Sequence, residues 1–224
     1  SVFASEFSSA AVRLDSDSKL LASVSQAGSV VLPMFFSEGA KLGSKPEELP
    51  PVLSSSVLSY QVVPGNGLQT PDGTKANYPI VALAEAAAGV GHVNVAQDLD
   101  GKLRRELPVY RYGDSYFPSY ALQLVLHYMG IKGVEASFTP GRSVQLGQTV
   151  IPLDQESRML ISYNGPEETF RYYKYQDVMN DKVSMDVFKD KIVIVGPTAL
   201  GVATLYVTPL SSNLPPIEMI ANVI

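Results

Sequence analysis

Cysteine and tryptophan are both absent from the 224 residues, and histidine occurs only twice. Without cysteine there can be no disulfide and no thiolate metal site, which leaves the compartment open. With His92 and His127 alone, and no H-x-x-x-H or H-E-x-x-H spacing, a histidine-ligated metal site is not expected. Positive charge is scarce as well: 17 Lys and Arg stand against 22 Asp and Glu, for a net charge of −5. Nucleic acid and anionic lipid surfaces both demand clustered positive charge, so neither is an expected partner. No apolar run approaches the roughly 20 residues of a bilayer-crossing helix. The longest small-and-apolar stretch, residues 80–90, is broken by Glu85 and is rich in alanine. Ser1-Val2-Phe3 is not the charged start of a signal peptide. There is no internal repeat and no heptad pattern.

What is present is apolar material for a core, 46% of residues, divided into short alternating strand and helix signals. Ser16 or Asp17 reads as an N-cap for a helix over 19–26 with an apolar stripe of Leu20, Leu21 and Val24, closed by Gly28. Val30 to Phe36 reads as a buried strand, and 37–56 as a surface loop rich in Ser, Pro, Gly, Glu and Lys. Residues 57–63 read as a strand ended by Pro64-Gly65-Asn66-Gly67. Asn77 is placed to cap a helix over 79–88. A short strand over 92–95 leads through the turn Asp98-Leu99-Asp100-Gly101 into a strand from Leu103 to Tyr112 that hairpins back. A helix is expected from Ser119 to Met129, ended by Gly130. Gly147-Gln148 joins Val144–Leu146 to Thr149–Ile151 as a two-residue hairpin with glycine first. A strand over 159–163 and a short helix from Tyr175 to Met179 follow. Ile192-Val193-Ile194-Val195 is an unbroken β-branched run, the pattern of a strand buried on both faces. After Pro215-Pro216 the chain restarts as an apolar helix with Glu218 in its first turn, where unpaired backbone N–H groups favour a carboxylate. The fold class these signals imply is α/β: a three-layer mixed sheet with helices on both faces and antiparallel hairpin additions.

The last 34 residues resemble the C-terminal signature of the CHASE2 family, on Val193, Val195, Gly196, Thr198, Ala199, Gly201, Thr208, Pro209, Pro215, Glu218, Ala221 and Asn222. The resemblance continues in Gly91, Asp98-x-Asp-Gly with Arg104-Arg105, Pro118-Ser119, Ile151-Pro152-Leu153-Asp154 and Tyr163-Asn164-Gly165-Pro166. It runs from about residue 30 to 224. Three positions depart from the family pattern: Thr204 stands for Asp, Pro216 for Gly and Ile220 for His. The family's initial strands, with Asp-Asp-Ser-type sequence, are not found, so that part of the domain is expected to be absent.

The resemblance implies one sensory domain over residues 1–224, a fragment of a larger bacterial membrane receptor. Such domains lie outside the cytoplasm, in the periplasm or at the cell surface, as homodimers, and are anchored by transmembrane helices beyond this chain. A small-molecule or physical stimulus is sensed there, and the output domain is a nucleotide cyclase, a histidine kinase or a serine/threonine kinase. The last residues, reading as an apolar helix without a cap, are expected to lead toward a membrane segment. A free-standing extracytoplasmic binding protein is the alternative, and a hydrolase ranks last. No catalytic residue, metal site or cofactor is expected.

Glycine-rich Gly196–Gly201 lacks the Lys-Ser/Thr of a phosphate loop and the G-x-G-x-x-G spacing, so it reads as a tight connection. Asp98-Leu99-Asp100-Gly101 begins like a Ca²⁺ loop, but glycine is fourth rather than sixth and position 12 is Val109. If the strand alternates from Leu103, Arg105 faces inward with Leu103 and Leu107, and Asp98 or Asp100 is its expected partner in a structural clamp. Nine of 12 tyrosines lie between Tyr110 and Tyr175. Tyr172, Tyr173 and Tyr175, bracketed by Arg171 and Lys174, suit a partner-facing patch as well as an ordinary half-buried surface. The residues that would meet a ligand are Tyr163, Asn164, Thr198, Thr208 and Glu218.

Overall fold

The computed structural model describes residues 15–39, 47–60, 70–132, 135–199 and 201–224. The expected turn at 64–67 and the last three residues of the strand expected before it lie outside these residues. Local signals fix the first helix, α1, Ser16–Ala27. Asp15 Oδ1 accepts the Ser18 N–H at 3.0 Å, and Gly28, at φ 62°, returns its N–H to the Val24 carbonyl at 3.2 Å. Of the expected apolar stripe only Val24 is buried.

Strand β1, Val31–Ser37, is the middle of a three-stranded sheet. It pairs antiparallel with β4, Lys75–Asn77, and parallel with β5, Gly89–His92. From Pro33 on its burial alternates, with Met34 and Phe36 inside and Pro33 and Phe35 outside, so this part is half-buried rather than enclosed. Where β5 ends, the Asn94 side chain continues the ladder. Its Oδ1 accepts Phe36 N–H at 2.8 Å and its Nδ2 donates to Phe36 O at 2.6 Å. Asn77 is spent in β4, and the helix after it, α2, Val81–Ala86, has no side-chain cap.

The expected long strand from Leu103 to Tyr112 divides. Pro108 has no N–H to give a ladder, and its carbonyl accepts the Ser119 N–H at 2.8 Å instead. Before it, β6, Arg105–Glu106, pairs antiparallel with β12, Met159–Leu160. After it, β7, Val109–Tyr112, pairs antiparallel with β8, Ser115–Pro118, and parallel with β3, Asp72–Gly73. Ser119 then caps α3, Tyr120–Tyr128, accepting the Leu122 N–H at 3.2 Å. A fourth sheet runs β11, Thr149–Pro152, β10, Ser143–Leu146, β9, Ala136–Thr139, and β2, Ser59–Tyr60. Gly147 turns β10 into β11 at φ 58°. Two further helices follow: α4, Tyr175–Met179, and α5, Pro216–Val223.

The α/β class is therefore observed, with mixed and antiparallel pairings spread over small sheets. Phe36, Tyr110, Tyr112 and Phe117 pack as one aromatic group with Met34 and Val90. Leu122, Leu126, Phe138 and Val144 form a second cluster between α3 and the fourth sheet. Leu103, Ile161, Leu214 and Met219 form a third beneath α5.

The run Ile192–Val195 departs from its expectation. Its backbone is in no strand, Val193 is 48% exposed and Val195 75%. An apolar run becomes an interior strand only when others flank both its edges and cover both its faces. Among the described residues none pairs with it. Directly after it the chain touches α5: a Cβ on Gly196 would come within 2.4 Å of Ile217 Cγ2. Indeed no described residue from 162 to 207 is buried.

At Gly91 the backbones of sheet and helix approach closely. A Cβ there would lie 2.6 Å from Tyr120 Cα and 2.8 Å from Ser119 O, both backbone atoms that cannot swing aside. Gly91→Ala is expected to lower the unfolding free energy by about 1–3 kcal/mol, as overpacking does. Urea unfolding measures it, and an unchanged midpoint would contradict the packing.

Candidate functional site

The C-terminal third carries a polar junction and, beside it, a cleft. The junction begins with Glu218, in the first turn of α5 yet only 2% exposed. Its carboxyl oxygens accept the Glu168 N–H at 2.9 Å, the Phe170 N–H at 3.2 Å and the Tyr172 hydroxyl at 2.8 Å. One turn further on, Asn222 donates Nδ2 to the Glu218 carbonyl at 2.8 Å. Its Oδ1 accepts the Asn164 N–H at 2.8 Å. Residues 164–172 are thus a strap bolted along α5. A buried carboxyl without such donors would cost several kcal/mol, so the bonds are obligatory where Glu218 is buried. Burial, and next the bond to Glu218, raises the Tyr172 hydroxyl above its ordinary range. Tyr163 enters the strap with its hydroxyl on the Leu103 carbonyl at 2.9 Å, and burial pushes that phenol up to about 12.

The cleft, about 470 Å³, lies where the strap meets the loop 207–213, with Lys102 on its wall. Tyr206 and Leu214 close that loop through N–H to O bonds of 2.9 and 3.0 Å. Inside it Thr208 N donates to Ser211 O at 2.7 Å, and Thr208 Oγ1 accepts Ser211 N at 3.0 Å. Pro209 sits at the second position of this turn, where its fixed φ belongs. Ser211 in turn donates its hydroxyl to Glu167 and accepts Asn213 N at 3.1 Å. The Ser211 hydroxyl, first among the causes, holds the Glu167 carboxyl below the usual range.

Of the residues expected to meet a ligand, Asn164 and Glu218 come together at the junction, and Tyr163 adjoins them. Thr208 lines the cleft with its hydroxyl engaged inside its own turn. Thr198 lies apart, on the exposed segment after Val195. Lys102 and Glu167 carried no sequence signal, being single polar residues far apart in the chain; Asn222 stood in the family signature without an expected contact. Of the tyrosine patch, Tyr172 serves Glu218, Tyr173 packs edge-on against Phe188 at 5.2 Å, and Tyr175 is 70% exposed.

The structure also brings Asp98, Asp100 and Arg105 together, with a different centre from the one expected. Arg104 is the hub: it reaches Asp98 and Asp100, each at 2.7 Å, and its guanidinium holds the Asp100 carboxyl well below the usual range. Arg105 meets Asp98 at 2.6 Å and Asp154 at 3.5 Å. Its side chain is one-third exposed, so Arg105 does not face the core as the alternation from Leu103 required. Pairing in β6 begins at Arg105 and spans two residues, so Leu103 lies outside the strand and does not set its faces. The buried ionisable residue of this strand is Glu106, 5% exposed.

Burial drives the Glu106 carboxyl up to about 7, against the opposing bonds from the Ser119 hydroxyl and the Leu107 N–H. His92, 1% exposed with neither ring nitrogen bonded among the described residues, is driven the other way by burial, to about 3. His127, by contrast, is exposed on the last turn of α3.

A family model described as CHASE2 domain matches residues 5–224, essentially the whole chain and further toward the N-terminus than the motifs at residues 30 to 224 reach. No curated protein and no solved structure matches the chain.

Glu106 makes stability depend on pH. Its folded pKa lies above its unfolded value of 4.5, so the folded state binds the extra proton between pH 4.5 and 7. Its contribution is fully present below 4.5 and is lost as pH rises through 7, by roughly 3 kcal/mol. His92 has the opposite sign: it loses stability as pH falls below 6.5 toward 3. Glu106→Gln is therefore expected to raise the melting temperature relative to wild type at pH 8 and to leave it nearly unchanged at pH 4.5. An equal effect at both pH values would contradict this account.

Proposed function

The chain belongs to the CHASE2 domain family, sensory domains of extracytoplasmic receptor regions, and from that premise we propose that it is the stimulus-receiving module of a bacterial transmembrane receptor. The receptor's cytoplasmic output is a nucleotide cyclase, a histidine kinase or a serine/threonine kinase. Membrane helices outside this chain anchor it, and the receptor acts as a homodimer. No helix among the described residues is itself long and apolar enough to cross a membrane.

The observation that carries the mechanism is the bolting of α5 to the strap through Glu218 and Asn222. An element held by several directed bonds moves with its partner or separates from it. It does not deform gradually. A stimulus that favours one strap position therefore favours one α5 position, by as much as its affinity for the two differs. The run Ile192–Val195 forms no strand that could orient this helix. The strap, not that run, holds the terminal helix.

A second reading, a free-standing extracytoplasmic small-molecule binding protein, draws support from the cleft beside the strap. A hydrolase has no comparable support, and CHASE2 is a sensory rather than a catalytic family. The readings separate when the chain is joined through α5 to a membrane-anchored cyclase or kinase reporter. A stimulus-dependent output is expected, and a flexible Gly-Ser insertion directly after Ile224 should abolish that dependence while leaving basal output. A response fully retained across the insertion would contradict α5 as transmitter.

A further inference from the structure

The cleft presents opposite charges that do not satisfy each other. Lys102 and Glu167 both line it, and no ion pair joins them. Among the described side chains the Glu167 carboxyl is engaged by the Ser211 hydroxyl alone, and Lys102 forms no ion pair, its charge acting only at a distance on the Asp100 carboxylate. The loop adds the polar residues Ser212 and Asn213 to the lining. The volume, about 470 Å³, falls within the roughly 300–1,000 Å³ of small-molecule sites. The wall is preformed: the Thr208–Ser211 turn is fixed by three bonds within itself. Little ordering entropy is then left for a ligand to overcome.

A plain anion would meet Lys102 but also the Glu167 carboxylate, and a plain cation would meet the reverse. A molecule carrying both charges, a few bonds apart, satisfies both walls at once. We propose that this cleft binds a small zwitterion, a free α-amino acid, with its carboxylate toward Lys102 and its ammonium toward Glu167. Resting on the sensory reading above, this deepens it by naming the class of stimulus and its route to α5. Glu167 holds the loop through Ser211, while the next residue, Glu168, gives its N–H to Glu218 on α5. A ligand ammonium that takes Glu167 from Ser211 pulls on the strap one residue from its bolt.

The test is isothermal titration of the 224-residue chain with free L-amino acids run singly, alongside acetate and methylammonium as the two half-ligands. The result expected is saturable binding of at least one amino acid, with both half-ligands far weaker. Lys102→Gln and Glu167→Gln should each weaken that binding roughly ten- to hundredfold, the loss of one charge-assisted bond, with melting temperatures held close to wild type. Absence of saturable binding by any amino acid, acetate binding as tightly as the amino acid, or affinity unchanged in both variants would each overturn the proposal. Failure here with the reporter response still abolished by the insertion after Ile224 would remove the ligand assignment and leave the sensory reading standing.

Discussion

A carboxyl group buried at the start of the terminal helix sets the terms for the C-terminal third of this protein. Glu218 is nearly inaccessible to water, and such a group must find donors inside the fold. It takes three, all from the strap 46 to 50 residues earlier in the chain. The consequence is a directional link where apolar packing alone would leave the helix free to slide. Met219, on the same helix, adds that packing through Leu103, Ile161 and Leu214. The hydrophobic contact supplies adhesion, and the polar bonds supply register.

From this junction the rest of the site follows. The strap is tied forward to α5 by Glu218 and Asn222, and sideways to the 207–213 loop by Glu167 and Ser211. That loop is anchored to the body of the fold by the Leu103 N–H on the Val207 carbonyl at 2.7 Å. Leu103 also receives the Tyr163 hydroxyl, so loop and strap share one backbone anchor. On the far side of Leu103, Arg104 gathers Asp98 and Asp100 into a charge cluster at the surface. Exposed pairs of this kind add little stability individually, but here they hold the turn from which Lys102 enters the cleft.

Much of the local structure was legible in the residues, because its causes are local. A helix from Tyr175 to Met179, the Gly147 hairpin and the Gly28 helix end depend on backbone sterics within a few positions. The family too was legible, since its motifs are spread along the chain. What misled were features whose causes lie far off. The β-branched run at Ile192–Val195 has the composition of an interior strand, yet composition does not supply the neighbours that would enclose it. Arg105 is expected inward if alternation runs from Leu103 to Leu107, but ladder pairing begins only at Arg105 and lasts two residues, so Leu103 sets no face for it. Glu218 was noticed for its place in a helix's first turn, where a carboxylate suits the exposed N–H groups. Its actual donors come from Glu168, Phe170 and Tyr172, which no pattern near Glu218 announces. Lys102 and Glu167 were invisible for the same reason: single charges 65 residues apart acquire meaning only when folding sets them on one cleft.

The central claim is that strap and terminal helix form one cooperative unit. Residue-resolved amide hydrogen exchange tests it most directly, because it reads the opening free energy of each N–H separately. The Glu168 and Phe170 amides should exchange with the same protection as the α5 amides Met219 to Val223 in the native protein, and Glu218→Ala should lower both sets together. Strap amides that exchange freely while α5 stays protected, or a substitution that releases the strap and leaves α5 untouched, would contradict the account.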